Sequence, residues 1–432
     1  MTEAVLKKIL IGTCIVCALV LVGSAGYFFY MRHKIEMSNV YYDNYNMSII
    51  DGEDIVSVGS SYFRYSDENE FTKGYEKGKF VKIDKEGNNV FEIQYDRGFN
   101  STFTSVVATN DAYYVVGSGD YSEKQIEIRV RDAFITKYDK NGKKVWEKYY
   151  GQLADTRFTK AILDDDGIIV VGTSIYEAME VGNHTNGGGI IVKYDFDGNV
   201  IWENNHGGNK SGRFNDVIKI GEDYYVTGKD GADSGNLVKF DKDGKYVWHK
   251  NYSFTDSEGN QSLTYFNDLI YVISSKKILG DEPDEKRTTD NTDGLILAYD
   301  LKGNVNNEVT IGGSSFERLT SIVNDGEFMY VSGISSTVGD TFDIELNEVK
   351  DETYYSSIVL KYDKDLNIVE RVTLGGKNND KLMNITLNND KLLVSGLSNS
   401  DEANIDYKKS NGKDYFGKII SLDKDLKFEV IR

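Results

Sequence analysis

The chain is 432 residues long with a net charge of −19, a surface that repels nucleic acid and anionic lipid. It has 42 glycines, one proline and 12% aromatics, which suits many short strands joined by Gly/Asn/Asp turns and excludes a long-helix architecture. Both cysteines, Cys14 and Cys17, fall in an apolar N-terminal run, so the rest holds no disulfide framework, thiolate metal site or cysteine nucleophile.

In chain order, residues 1–8 read as a short cytoplasmic tail, 9–30 as a transmembrane signal-anchor helix and 31–44 as a linker. The 9–30 stretch has no formal charge and is flanked by Lys7/Lys8 and Arg32/Lys34, long enough to cross a bilayer once. A cleaved signal peptide would end near Ala25, but the apolar run continues through Tyr27, Phe28, Phe29 and Tyr30, which favours an uncleaved anchor. A lipoprotein is disfavoured, because Thr13 precedes Cys14 and the apolar stretch before it is too short. The expected location is the cell membrane, single-pass, with the large domain outside the cytoplasm. The basic residues on both flanks leave the reverse orientation open.

From residue 45 to 432 the chain repeats. The clearest copies are KYDKNGKKVWEKYYG from Lys137, KYDFDGNVIWENNHG from Lys193 and KFDKDGKYVWHKNYS from Lys239, with weaker ones anchored on Asp84, Asp300, Asp363 and Asp423. Each repeat reads as four strands: an entering strand, a tight turn, an apolar second strand, a variable connection, an apolar third strand, an Asp-anchored hairpin and a fourth strand. Second strands end on Gly59, Gly117, Gly172, Gly228, Ser274, Gly333 and Gly396. Seven such landmarks and seven hairpins predict an all-β fold, a seven-bladed β-propeller of four-stranded antiparallel blades preceded by one transmembrane helix. No strand is seen to swap across the closure, so the first blade is expected to pack directly on the last.

The spacing Asp-x-x-Gly-x-x-x-Trp, in Asp139/Gly142/Trp146, Asp195/Gly198/Trp202 and Asp241/Gly244/Trp248, resembles the tryptophan-docking repeat of quinoprotein-like propellers, and the strand order is similar to that of kelch propellers. Phe91 stands for Trp in the first repeat, and the motif is eroded in the last three. The resemblance implies that Phe91, Trp146, Trp202 and Trp248 wedge between adjacent blades. It does not bring dehydrogenase activity, since the calcium and base residues of those enzymes match no position and the chain has no vicinal disulfide. Non-enzymatic relatives of the fold act as scaffolds in envelope assembly. The Asp-box of sialidases is not matched either, because two residues rather than one separate Asp from Gly.

No catalytic constellation emerges. His33 flanks the expected membrane segment and His184, His206 and His249 belong to different repeats, without zinc spacing, and the Asp-x-Asp-Gly turns read as hairpins rather than calcium loops. No metal or cofactor is expected. Length variation concentrates in the connections of one face, at 60–78, 118–132, 173–188, 275–293, 334–356 and 397–414, which carry Tyr62, Tyr121, Tyr176, His184, Tyr354 and Tyr355. Aligned on the second-strand landmark, Thr102, Arg157, Arg213, Gly259, Arg318 and Lys381 share one position. The four basic residues are expected at the channel mouth, either binding an anionic group or pairing with acids such as Asp155 or Asp380. The function expected is a binding or scaffold module at the cell envelope that meets a glycan, peptide or envelope protein on the long-loop face. The alternative is an envelope polysaccharide lyase or hydrolase acting on that face.

Overall fold

The computed structural model describes residues 40–66, 72–98, 100–121, 130–151, 155–175, 188–206, 212–230, 234–253, 259–277, 292–313, 316–336, 355–376, 378–388, 390–400 and 416–431. The expected anchor at 9–30, and Tyr176, His184 and Tyr354, lie outside the described residues. No helix among the described residues is long and apolar enough to cross a membrane. The chain divides into two compact units. The smaller comprises 1–41 and 62–75, and the larger 42–61 and 76–432.

Seven antiparallel sheets of four consecutive strands span 40–95, 101–150, 155–206, 213–253, 262–311, 317–374 and 380–430. These are blades one to seven. The first strand is Val40–Asp51, a few residues ahead of the expected start near Tyr45. Second and third strands are buried almost throughout, as Met329–Ser335 and Ser356–Tyr362 of blade six illustrate. Fourth strands such as Val200–His206 alternate between half-buried and exposed. Central strands sandwiched between neighbours have no solvent face and need no polar alternation.

Seven apolar clusters hold the blades together, each drawn from two neighbours. Phe214 and Val217 of blade four pack with Ile169 and Val171 of blade three, for example. The seventh joins the ends of the array, packing Tyr45, Ile55, Val81 and Ile83 of blade one with Leu393 and Ile419 of blade seven. Asn388 Nδ2 donates to the Ile50 carbonyl at 3.0 Å and the Thr386 hydroxyl to the Ser48 carbonyl. Among the described residues no strand is exchanged between the first and last sheets. The larger unit is a closed seven-bladed propeller.

The Asp-anchored hairpins follow one geometry. In blade three the Asp195 carboxylate accepts the Asp197 and Asn199 amides at 2.9 and 2.8 Å and the Asn199 side chain at 2.8 Å. Asp84, Asp300 and Asp363 repeat the pattern with Asn88, Asn304 and Asn367. The turn then needs a left-handed residue, supplied by Gly87, Gly142, Gly198, Gly244 and Gly303. Glycine at this position also makes room. A β-carbon on Gly198 would stand 2.9 Å from Trp146, and one on Gly244 would stand 2.3 Å from Trp202. Each aromatic on a fourth strand thus lies against the hairpin glycine of the following blade, and Phe91 meets Gly142 in the same way.

Two connections on the long-loop face differ from expectation. The second strand of blade one runs Asp54–Ser66 and the third Thr72–Ile83, while in blade two the strands reach Tyr121 and resume at Val130. The described parts of 60–78 and 118–132 are therefore strand rather than loop, because Tyr62, Phe63, Tyr75, Tyr121 and Val130 favour extended backbone. Within the smaller unit, Phe63 stacks on Tyr75 with ring centres 5.0 Å apart.

Candidate functional site

The glycine near the end of each second strand positions the mouth residues. A β-carbon there would lie 1.9 Å from the Arg157 carbonyl at Gly172, 2.2 Å from that of Arg213 at Gly228 and 2.1 Å from that of Lys381 at Gly396. The missing side chain admits a β-bulge in the first strand, where the register shifts between Phe103 and Ser105, Phe214 and Asp216, Leu319 and Ser321, and Leu382 and Asn384. Blade five has Ser274 in place of glycine, and its first strand starts only at Ser262, opposite Ile273.

The bulged residue reaches the next blade. Thr104 donates to the Phe158 carbonyl at 2.8 Å, Thr159 to that of Phe214 at 2.8 Å, and Asn215 to that of Asn260 at 2.7 Å. In blade one Asn46 donates to the Phe103 carbonyl at 2.7 Å. This belt escaped the sequence reading, although its signal was present: a Thr or Asn stands two residues after Asn44, Thr102, Arg157, Arg213 and Arg318.

The basic positions have diverse surroundings. Arg157 is clamped by Asp155, with Nε and Nη2 donating at 3.1 and 2.8 Å. Arg213 is half-buried at the start of its strand. Between blades six and seven the arrangement is different. The Arg318 guanidinium lies over the Phe316 ring at 5.2 Å and the Lys381 ammonium over the Tyr355 ring at 4.8 Å, while the two rings meet edge to face at 5.6 Å. Burial, followed by the positive charge of Arg318, pushes the Lys381 pKa down. Two cations and two aromatic faces therefore converge where the adjoining blades meet.

Buried polar groups fix this cluster. The Tyr355 amide donates to Asn379 Oδ1 at 3.0 Å, and its carbonyl accepts the Asp380 amide at 2.7 Å. Asp380 is fully buried and does not serve as the acid partner considered for the basic ring. Its carboxylate accepts the Ser398 and Ser400 hydroxyls, the latter at 2.7 Å, and the Gly376 amide at 2.9 Å. Burial raises its pKa despite those bonds. Blade one has the same device in Asp43, which accepts Ser61 at 2.6 Å and Lys79 at 2.7 Å, and blade six has Glu317 with Ser335 at 2.8 Å.

Of the other expected contact residues, Tyr62 is half-buried in the smaller unit and Tyr121 ends a strand opposite Val130. The histidines thought to lie apart are not all separate, since the rings of His206 and His249 approach to 4.8 Å at the outer edge. Among the described residues no group of three or more His, Cys, Asp or Glu is arranged to hold a metal ion.

No protein-family model matches this chain, and no curated protein matches it. Several solved structures are similar to it. Kuenenia stuttgartiensis hydrazine synthase aligns at 10% identity over 83% of this chain and 92% of that one, with a TM-score of 0.46. The Dos1 propeller aligns at 13% identity over 91% and 86%, with a TM-score of 0.45. The propeller domain of the trilobed protease from Pyrococcus furiosus aligns at 11% over 90% and 98%, with a TM-score of 0.44. The likeness concerns architecture only.

Proposed function

We propose that this chain is a binding module of the cell envelope, tethered by its 9–30 segment with the propeller outside the cytoplasm. Its ligand is anionic and carries a flat apolar face, and it is held at the mouth between blades six and seven. The observation behind this reading is the placing of Arg318 over Phe316 and Lys381 over Tyr355, with the rings 5.6 Å apart. A guanidinium and an ammonium together fix a carboxylate, and aromatic faces take the C–H surface of a sugar ring or an apolar side chain. Acidic saccharides and acidic peptides both satisfy that description.

The full-length chain in lipid nanodiscs, tested against arrays of neutral and acidic glycans and peptides, checks the reading. Arg318→Gln/Lys381→Gln is expected to weaken binding at least tenfold, because a hydrogen bond to a charged group contributes about 1.5–3 kcal/mol. Undiminished affinity in that double variant would refute the site. Release of shortened or unsaturated saccharide from a bound polymer would instead establish a lyase or hydrolase.

A further inference from the structure

The outer edges of the blades meet in a repeated way. Position by position, Tyr95 and Glu147 occupy the junction of blades one and two, Tyr150 and Glu203 the next, and Tyr252 and Glu308 that of blades four and five. Burial, followed by the influence of the paired glutamate, raises the pKa of the Tyr95 and Tyr252 hydroxyls. At the junction of blades three and four both members change together, to His206 and His249.

The two imidazoles face one another across the junction. Their ring centres are 4.8 Å apart and their planes are inclined at 52°. Two imidazoles sharing one ion at a metal–nitrogen distance of about 2.0–2.1 Å and a near-tetrahedral angle would have ring centres about 5 Å apart. Tyr246 organises the pair. Its ring stacks on His206 at 4.9 Å with planes 7° apart, and its hydroxyl is 2.8 Å from His249 Nδ1. With Nδ1–H donating to that oxygen, the His249 Nε2 lone pair is the one that can bind a metal, the arrangement that orients histidine ligands generally. Burial, followed by the neighbouring His249, lowers the His206 pKa.

We infer that His206 and His249 form a two-histidine site for a transition-metal cation such as Cu2+ or Zn2+, with Tyr246 as its positioning residue. The two imidazoles are the described chain's contribution, and water or a side chain from a bound partner completes the coordination. The site lies at a different junction from the Arg318/Lys381 mouth, and neither depends on the other.

Titrating the full-length chain with Cu2+ and recording its electron paramagnetic resonance spectrum tests the assignment. The first equivalent is expected to show hyperfine coupling to two imidazole nitrogens. His206→Tyr/His249→Glu installs the pair that the chain already uses at three other junctions. It should remove that coupling and raise the Kd for Cu2+ at least tenfold, with the melting transition unchanged. His249→Gln should leave coupling to a single nitrogen, whereas His33→Gln/His184→Gln should leave the two-nitrogen signal intact. An oxygen-only spectrum in the wild type, or a two-nitrogen signal that survives in the double variant, would overturn the site.

Discussion

Asp164 shows how single residues hold the plain face. Its side chain is 1% exposed and lies 2.7 Å from Lys193 Nζ, and it also accepts from the Tyr224 hydroxyl at 2.5 Å and from Lys219 of blade four. Burial alone would raise its pKa, but the hydrogen bonds from Lys193, Lys219 and Tyr224 outweigh it and hold the carboxyl well below the usual range. A depressed folded pKa contributes stability that is complete above the unfolded value of about 3.9 and fades as the pH falls through the folded one. Asp164→Asn should therefore cost about 3 kcal/mol at pH 7, the low end for removing one partner of a buried ion pair. Urea denaturation of both proteins at pH 7 and pH 3 should show that difference shrinking in acid. A difference that is constant or grows would rule out the ionic account.

At the scale of the element, the eroded repeats prove compensated. Blades six and seven place Leu366 and Leu426 at the hairpin position that is glycine elsewhere, with φ of 63° and 55°. Both side chains are nearly buried, Leu366 at 7% and Leu426 at 3% exposure. The preceding fourth strands lack the tryptophan. Asn307 pairs with Ala298, and Glu370 with Lys361, at the register where Trp146 pairs with Lys137. A leucine growing from the hairpin thus accompanies the loss of the tryptophan that would have come from the neighbouring blade. The left-handed conformation costs a non-glycine residue about 1–2 kcal/mol, which burial of a leucine offsets.

This exchange of volume can be tested by a double-mutant cycle. Leu366→Gly alone should destabilise by about 1–3 kcal/mol, the loss of packing being partly returned by relief of the backbone. Asn307→Trp alone should also destabilise, since the leucine occupies the seat of the ring. The double variant should be more stable than the sum of the singles by at least about 0.5 kcal/mol, read from urea midpoints. Strict additivity would mean that the two positions do not share a space. The tryptophan spacing was legible in the sequence, but its replacement was not, because Asn307 and Leu366 belong to different repeats and only packing relates them.

For the whole molecule, closure is the decisive event. The first and last blades join through the Asn388 and Thr386 side-chain bonds and one apolar cluster, with no shared strand. The chain is continuous across every other junction, so separation there is limited by the connection. The seam between blades one and seven has no such tether and should open first. Thr386→Val/Asn388→Leu should speed amide exchange in 44–58 and 391–398 several-fold while leaving blade four unchanged, as hydrogen–deuterium exchange would show. Acceleration spread evenly over all blades would contradict a local seam.

The sequence by itself determined the number of blades, the order of their strands and the place of the hairpins, because these depend on short-range chemistry. Asp and Gly punctuate each turn, β-branched and aromatic runs form each strand, and the period repeats that grammar seven times. What only the tertiary structure decided lies between repeats: Lys381 and Arg318 gathered over two rings, and two histidines brought to 4.8 Å. Such contacts depend on the angle at which one blade packs on the next, and no local pattern encodes that angle. Side chains from different repeats become neighbours only once adjacent blades have packed.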